Sequence, residues 1–267
     1  MKIDKVIKKI DKISIMEFSK LLRNAMTSDF EHVVSVLFEN KDKISEFFIS
    51  HIRDTSLGEL GVFLYTLYLA NKDVFEHVVG VLNEYREQIV SKAGEASISE
   101  IAEFLCGISF NEGSMDLARP IIELITRRIE EFSLQDLGEF LTYLSIAEKN
   151  FVRDVLSMLK PGTEKLISKY IVDASLNDIA VFFSSVSKID RSEGIELLNK
   201  HRDKIMELFA QRLSSSSIDD VSSFLLLIAQ VDVSLVEELL EGHRDELERR
   251  FGDAIKTIEM FIRRIPQ

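Results

Sequence analysis

Five histidines and one cysteine are the side chains in this 267-residue chain best suited to hold a metal or act as a nucleophile: His32, His51, His77, His201, His243 and Cys106. Imidazole and thiolate both bind zinc, but a site needs three or four ligands converging on one point. His32 and His77 occupy matching contexts, Phe30-Glu31-His32-Val33-Val34 and Phe75-Glu76-His77-Val78-Val79. His201 and His243 match as well, opening His201-Arg202-Asp203 and His243-Arg244-Asp245. Two pairs of equivalent imidazoles without a third ligand read as helix-start or surface positions. Cys106 has no second cysteine to pair with and reads as a small apolar residue of a buried helix. HExxH, GxGxxG and GxxxxGK[ST] are all absent from the sequence. The expectation is no catalytic residue, no cofactor, no metal and no enzymatic activity.

Carboxylates offer acid–base chemistry only if two are buried together. Here the regularly spaced ones are Glu17, Glu59, Glu100, Asp136, Asp178 and Asp220, each three residues after a serine: Ser14, Ser56, Ser97, Ser133, Ser175 and Ser217. That is the capping-box spacing, in which the serine hydroxyl accepts from the third helical N–H and the acid reaches back to the serine N–H. With its shorter arm, aspartate is expected to supply mainly charge at the positive helix end.

Those serines reveal what positions everything else. The stretches SIMEFSKLL, SLGELGVFL, SISEIAEFL, SLQDLGEFL, SLNDIAVFF and SIDDVSSFL, with a worn AIKTIEMFI from Ala254, recur at steps of 42, 41, 36, 42, 42 and 37 residues. A period near 40 signals a solenoid. Position 5 of each capped helix is small (Ser19, Gly61, Ala102, Gly138, Ala180, Ser222), although glycine costs about 1 kcal/mol against alanine in a helix. Close packing of a neighbouring backbone explains that choice. Positions 1, 4, 7, 8 and 11 form one apolar stripe.

Pro161-Gly162 is expected to split repeat four, and Pro120 to open the last helix of repeat three in the first turn. Each unit therefore reads as three helices, with the last two fused in some repeats. Repeat three is about six residues short, near Asn111–Pro120. Residues 1–13 carry Ile3, Val6, Ile7, Ile10 and Ile13 on one face and read as an N-terminal cap helix, with a membrane surface or an acidic partner as the alternative. Residues 253–267, ending in Pro266-Gln267, read as a C-terminal cap helix. The alternative there leaves Met260, Phe261 and Ile265 open for an end-to-end homodimer.

Three helices in about 42 residues resemble armadillo or HEAT repeats over nearly the whole chain. The motif wording is similar to helical repeat regions attached to archaeal signalling ATPases. The armadillo asparagine ladder and a consistent HEAT proline are missing, so no binding residue is carried over. The resemblance implies an all-α, right-handed α-solenoid, one domain over 1–267, with two-to-three-helix repeats starting near 14, 56, 97, 133, 175 and 217. It also implies partner-holding.

The function expected is a protein–protein scaffold or adaptor. A net charge of −12 and the absence of tryptophan disfavour the alternative, a nucleic-acid-binding helical repeat, whose arginine pairs would be Arg127–Arg128, Arg249–Arg250 and Arg263–Arg264. The lone cysteine and the lack of a secretory pattern or an 18-residue apolar run point to a cytoplasmic protein without a membrane span. Tyr65, Tyr68 and Tyr143, on capped helices outside the stripe, are the candidate partner-binding residues. If position 5 is packed and position 2 exposed, Gly138→Leu lowers the melting temperature far more than Gln135→Leu; equal melting temperatures would refute the packing assignment.

Overall fold

A computed structural model describes residues 3–265, which fold into helices joined by short turns with no strand among them. The helices group into two compact units. One holds the chain up to Arg128 together with Ile146–Leu159, and the other holds Ile129–Ser145 together with the chain from Lys160 onward. Down the first stretch run α1 (Ile3–Ile7), α2 (Ile15–Ser28), α3 (Phe30–Glu39), α4 (Lys41–His51), α5 (Leu57–Ala70), α6 (Lys72–Leu82), α7 (Arg86–Glu95), α8 (Ile98–Ile108) and α9 (Ser114–Arg128). There follow α10 (Leu134–Leu144), α11 (Lys149–Tyr170), α12 (Leu176–Ile189), α13 (Arg191–Lys200), α14 (Arg202–Leu213), α15 (Ile218–Ala229), α16 (Val233–Gly242), α17 (Arg244–Phe251) and α18 (Asp253–Ile262).

Each of the six serines at the starts of the repeats caps its helix, accepting from the N–H three residues on. The reciprocal arm closes in five of the six. Aspartate corrects the expectation that it supplies charge alone. Asp136 Oδ2 accepts from the Ser133 N–H at 2.8 Å and from its hydroxyl at 2.7 Å. Asp178 and Asp220 do the same, with hydroxyl contacts of 2.6 and 2.7 Å. The extended backbone of the capping serine brings its N–H over the first turn, so a short arm suffices. At Ser14 only the serine side of the box is made, by the Glu17 N–H at 3.1 Å. Hydrogen bonds from the Ser217 hydroxyl and N–H hold the Asp220 carboxyl below the usual range.

Caps fix where helices begin, while burial supplies more energy. Phe63, Phe104, Phe140, Phe182 and Phe224, at position 7, are all fully buried. Each is worth roughly 1.5–3 kcal/mol, against about 1 kcal/mol for a cap. Capped helices then pack on one another in order: α2 on α5 and α5 on α8 in one unit, α10 on α12 and α12 on α15 in the other, where the uncapped α18 follows on α15. Position 5 lies in these contacts. A Cβ on Gly61 would sit 2.3 Å from the Glu103 carbonyl oxygen, and one on Gly107 would sit 2.3 Å from the Gly61 carbonyl oxygen. The two helices touch backbone to backbone. At Gly138 the approach is looser, with Val181 Cγ1 at 3.2 Å and the Phe182 backbone N at 3.4 Å.

Both prolines are corrected. Pro161 lies inside α11, which runs unbroken for 22 residues, and Pro120 lies inside α9 rather than in its first turn. A proline in a helix interior removes one ladder bond, but buried Leu156, Leu159, Leu166 and Ile167 keep one helical stripe through Pro161. Gly162 adds a close fit, its Cβ position 3.3 Å from Ile129 Cγ1. In repeats three and four one helix replaces two, and repeat three is the short one because α9 has 15 residues where α11 has 22. Where two helices do follow the capped one, the second has its own cap: Asp29, Asn71, Asp190 and Asp232 accept from its first-turn N–H groups.

A third regularity joins consecutive repeats through the backbone. Lys92 Nζ donates to the carbonyl oxygens of Arg53 and Thr55 at 2.8 and 3.0 Å. Arg128 donates to Gly94 O at 3.1 Å, the Tyr170 hydroxyl to Glu130 O at 3.0 Å, and Arg250 to Ser216 O at 2.9 Å. Arg212 reaches the carbonyls of Val172 and Ala174. All of these acceptors lie just before a capping serine, where a helix has ended and its last carbonyls lack intrahelical donors.

At the amino terminus, α1 is a short helix followed by a 3₁₀ turn over Ile10–Lys12, so the expected single helix is broken. Ile3, Val6, Ile7 and Ile10 are buried against the chain's own helices, α1 against α2 and α3. That contact occupies the apolar face that the membrane alternative would need, while Lys5, Lys8, Lys9 and Lys12 stay exposed. At the other end α18 packs on α15 and α17, with Met260 and Phe261 45% and 50% exposed. Pro266 and Gln267 of the proposed cap, like Met1 and Lys2, lie outside the described residues. Gly107→Ala is expected to destabilise by about 1–3 kcal/mol through overpacking. Gly80→Ala, with nothing within 4 Å of its Cβ position, should stabilise by about 0.5–1 kcal/mol; urea melts showing the same sign for both would contradict this packing.

Candidate partner-binding surface

One face of the capped helices, at positions 6, 9 and 13, stays partly open, and its chemistry changes from helix to helix. On α2 these positions are Lys20, Arg23 and Thr27, all exposed. On α5 they are Val62, Tyr65 and Leu69, half-buried, half-buried and 47% exposed. On α8 they are Glu103, Cys106 and, in the turn just beyond the helix, Phe110. α5 is apolar on nearly every side because α2, α6 and α8 surround it, and the open strip is apolar too.

Two of the three tyrosines expected at an interface come together here. Tyr68 stacks on Phe110 with ring centroids 4.1 Å apart, and Tyr65 meets the same ring at 5.7 Å. Tyr68 also packs edge-on against Phe75 at 5.5 Å. Both tyrosines are half-buried. Tyr143 belongs to the other unit, on α10, and is 40% exposed. Phe110 escaped the sequence reading because it follows the helix rather than sitting in its stripe; its signal was its place one helical turn beyond Cys106.

Charge flanks the aromatic strip. Arg23 Nε donates to Thr66 Oγ1 at 3.3 Å, which places the guanidinium beside the C-terminal half of α5. Toward the start of α5, the Glu103 carboxylate leans over Gly58, whose Cβ position lies 2.3 Å from Glu103 Oε2. Burial and neighbouring Glu100 push the Glu103 carboxyl above its usual value. In the other unit the same contacts are made by hydroxyls and amides. Thr142 Oγ1 and Ser185 Oγ are 2.8 Å apart, and Ser184 donates to Gln230 Oε1 at 3.4 Å.

The histidines do other work. His32 Nε2 meets Asp4 Oδ2 at 2.8 Å and His77 Nε2 meets Asp42 Oδ1 at 3.1 Å, so the equivalent pair links neighbouring helices. His51 Nδ1 bonds the Phe47 carbonyl at 2.8 Å. His201 and His243 sit at the starts of α14 and α17. Among the described residues, no three His, Cys, Asp or Glu side chains are placed to hold a metal ion, and no helix is long and apolar enough to cross a membrane. In two of the arginine pairs one member, Arg128 or Arg250, is committed to a backbone carbonyl.

Burial, with help from Glu103, pushes the Cys106 thiol up to about 11. The native protein at pH 8 should therefore react with a thiol-specific disulfide reagent at least tenfold more slowly than the urea-unfolded chain, and equal rates would contradict the buried position. Comparison of the chain with protein-family models, curated proteins and solved structures finds no match.

Proposed function

We propose that the chain is an armadillo- or HEAT-like right-handed solenoid of six repeats with helical ends, acting in the cytoplasm as a non-enzymatic scaffold or adaptor for another protein. Serine caps recurring near every 40 residues and the matching carbonyl contacts between repeats support the architecture. One observation carries the function: α5 leaves Leu69 open beside the half-buried Tyr65, Tyr68 and Phe110. Tyrosine side chains packed at a surface are among the usual anchors of protein interfaces. The net charge of −12 and the absence of tryptophan argue against a nucleic-acid role.

Affinity capture from native lysate, with and without nuclease, tests this reading. A stoichiometric protein should survive nuclease and moderate salt, and its recovery should fall at least tenfold with Leu69→Asp, a substitution at an exposed position. Recovery of nucleic acid, or loss of all bound material on nuclease treatment, would overturn it in favour of nucleic-acid binding.

A further inference from the structure

The open strip on α5 has opposite charges beside it, Glu103 before its start at Gly58 and Arg23 at Thr66 in its C-terminal half, and its size limits what it can hold. Val62 to Leu69 is seven residues, about 10 Å of helix. A folded domain needs roughly 800 Å² on each side for a stable contact, more than so short a strip offers. Gly58, under Glu103, and Thr66, beside Arg23, are eight residues apart, about 12 Å along α5. Three to four residues of extended chain, at about 3.3 Å each, cover that span.

We propose that this strip binds a short extended peptide segment of a partner protein. An apolar side chain of the peptide lies on Tyr65 and Leu69, an acidic residue meets Arg23, and a basic residue three to four positions away meets Glu103. The polarity follows from charge complementarity, which sets register and partner choice more than raw affinity. Lys20, exposed one turn before Arg23 on α2, strengthens the basic pole, and Glu100, beside Glu103 on α8, strengthens the acidic one. The proposal rests on the scaffold reading and adds the chemistry of the partner.

A random peptide library displayed on phage, panned against the intact protein, tests it. The expected consensus places an acidic and a basic residue three to four positions apart around an apolar one. The synthetic consensus peptide should lose at least tenfold in affinity on Leu69→Asp. Arg23→Glu combined with Glu103→Lys should shift the preference at least tenfold toward the charge-reversed peptide. Lys20→Glu and Glu103→Gln, which disturb fewer contacts, should each weaken the original peptide, with circular dichroism confirming the fold of every variant. Peptides indifferent to all of these charge changes, or a library that enriches none, would overturn the proposal. If the lysate partner is still captured in that case, the scaffold reading stands and only the peptide chemistry falls.

Discussion

Contact between the backbones of α5 and α8 sets the terms for the rest of this protein. Two helices can approach until their main chains touch only where both lack side chains, and Gly61 and Gly107 provide that. Every gain in packing around the pair depends on the approach being kept. The fully buried Phe63 and Phe104 lie on the same two helices. Glycine's cost in helix propensity, about 1 kcal/mol each, is small beside the burial it permits. Elsewhere the contact differs: α2, whose Ser19 is buried at the same register, packs on α5, and the Cβ position of Gly138 on α10 meets the Val181 side chain at 3.2 Å.

Spacing this close requires each helix to start and stop on time. The serine boxes fix the starts, and the carbonyl contacts made by Lys92, Arg128, Tyr170, Arg212 and Arg250 occupy the preceding chain ends. Together they place a polar network at the turns and leave the stripe between them apolar. The partly open row at positions 6, 9 and 13 is then free to vary. In one unit it carries aromatic rings and separated charges; in the other it carries hydroxyl and amide contacts such as Thr142 with Ser185.

The repeat, its caps and the small fifth position were legible because each recurs in the same register six times. Position 10, which at Gly107 receives Gly61 of the neighbouring helix, was not. It holds Thr66, Gly107 and Ser185 in some helices but Tyr143 and Leu227 in others, so no single residue type marks it. The carbonyl contacts were hidden for a related reason: lysine, arginine and tyrosine all serve as donors, and a backbone acceptor leaves no trace in the sequence. Pro120 and Pro161 misled because local preference argues for a boundary, whereas buried residues on both sides keep the helix continuous. Tyr65 and Tyr68 were found as candidates, but their shared partner Phe110 lies beyond the helix end and needed the fold to reveal it.

The central claim is that Gly61 and Gly107 guard one and the same contact. A double-mutant cycle of Gly61→Ala and Gly107→Ala, read by urea unfolding, addresses it most directly. If one added methyl already forces α5 and α8 apart, the second costs little more, and the double variant is more stable than the sum of the single losses by well over about 0.5 kcal/mol. Strict additivity would mean that the two glycines act at independent places, and would contradict a fold organised around their contact.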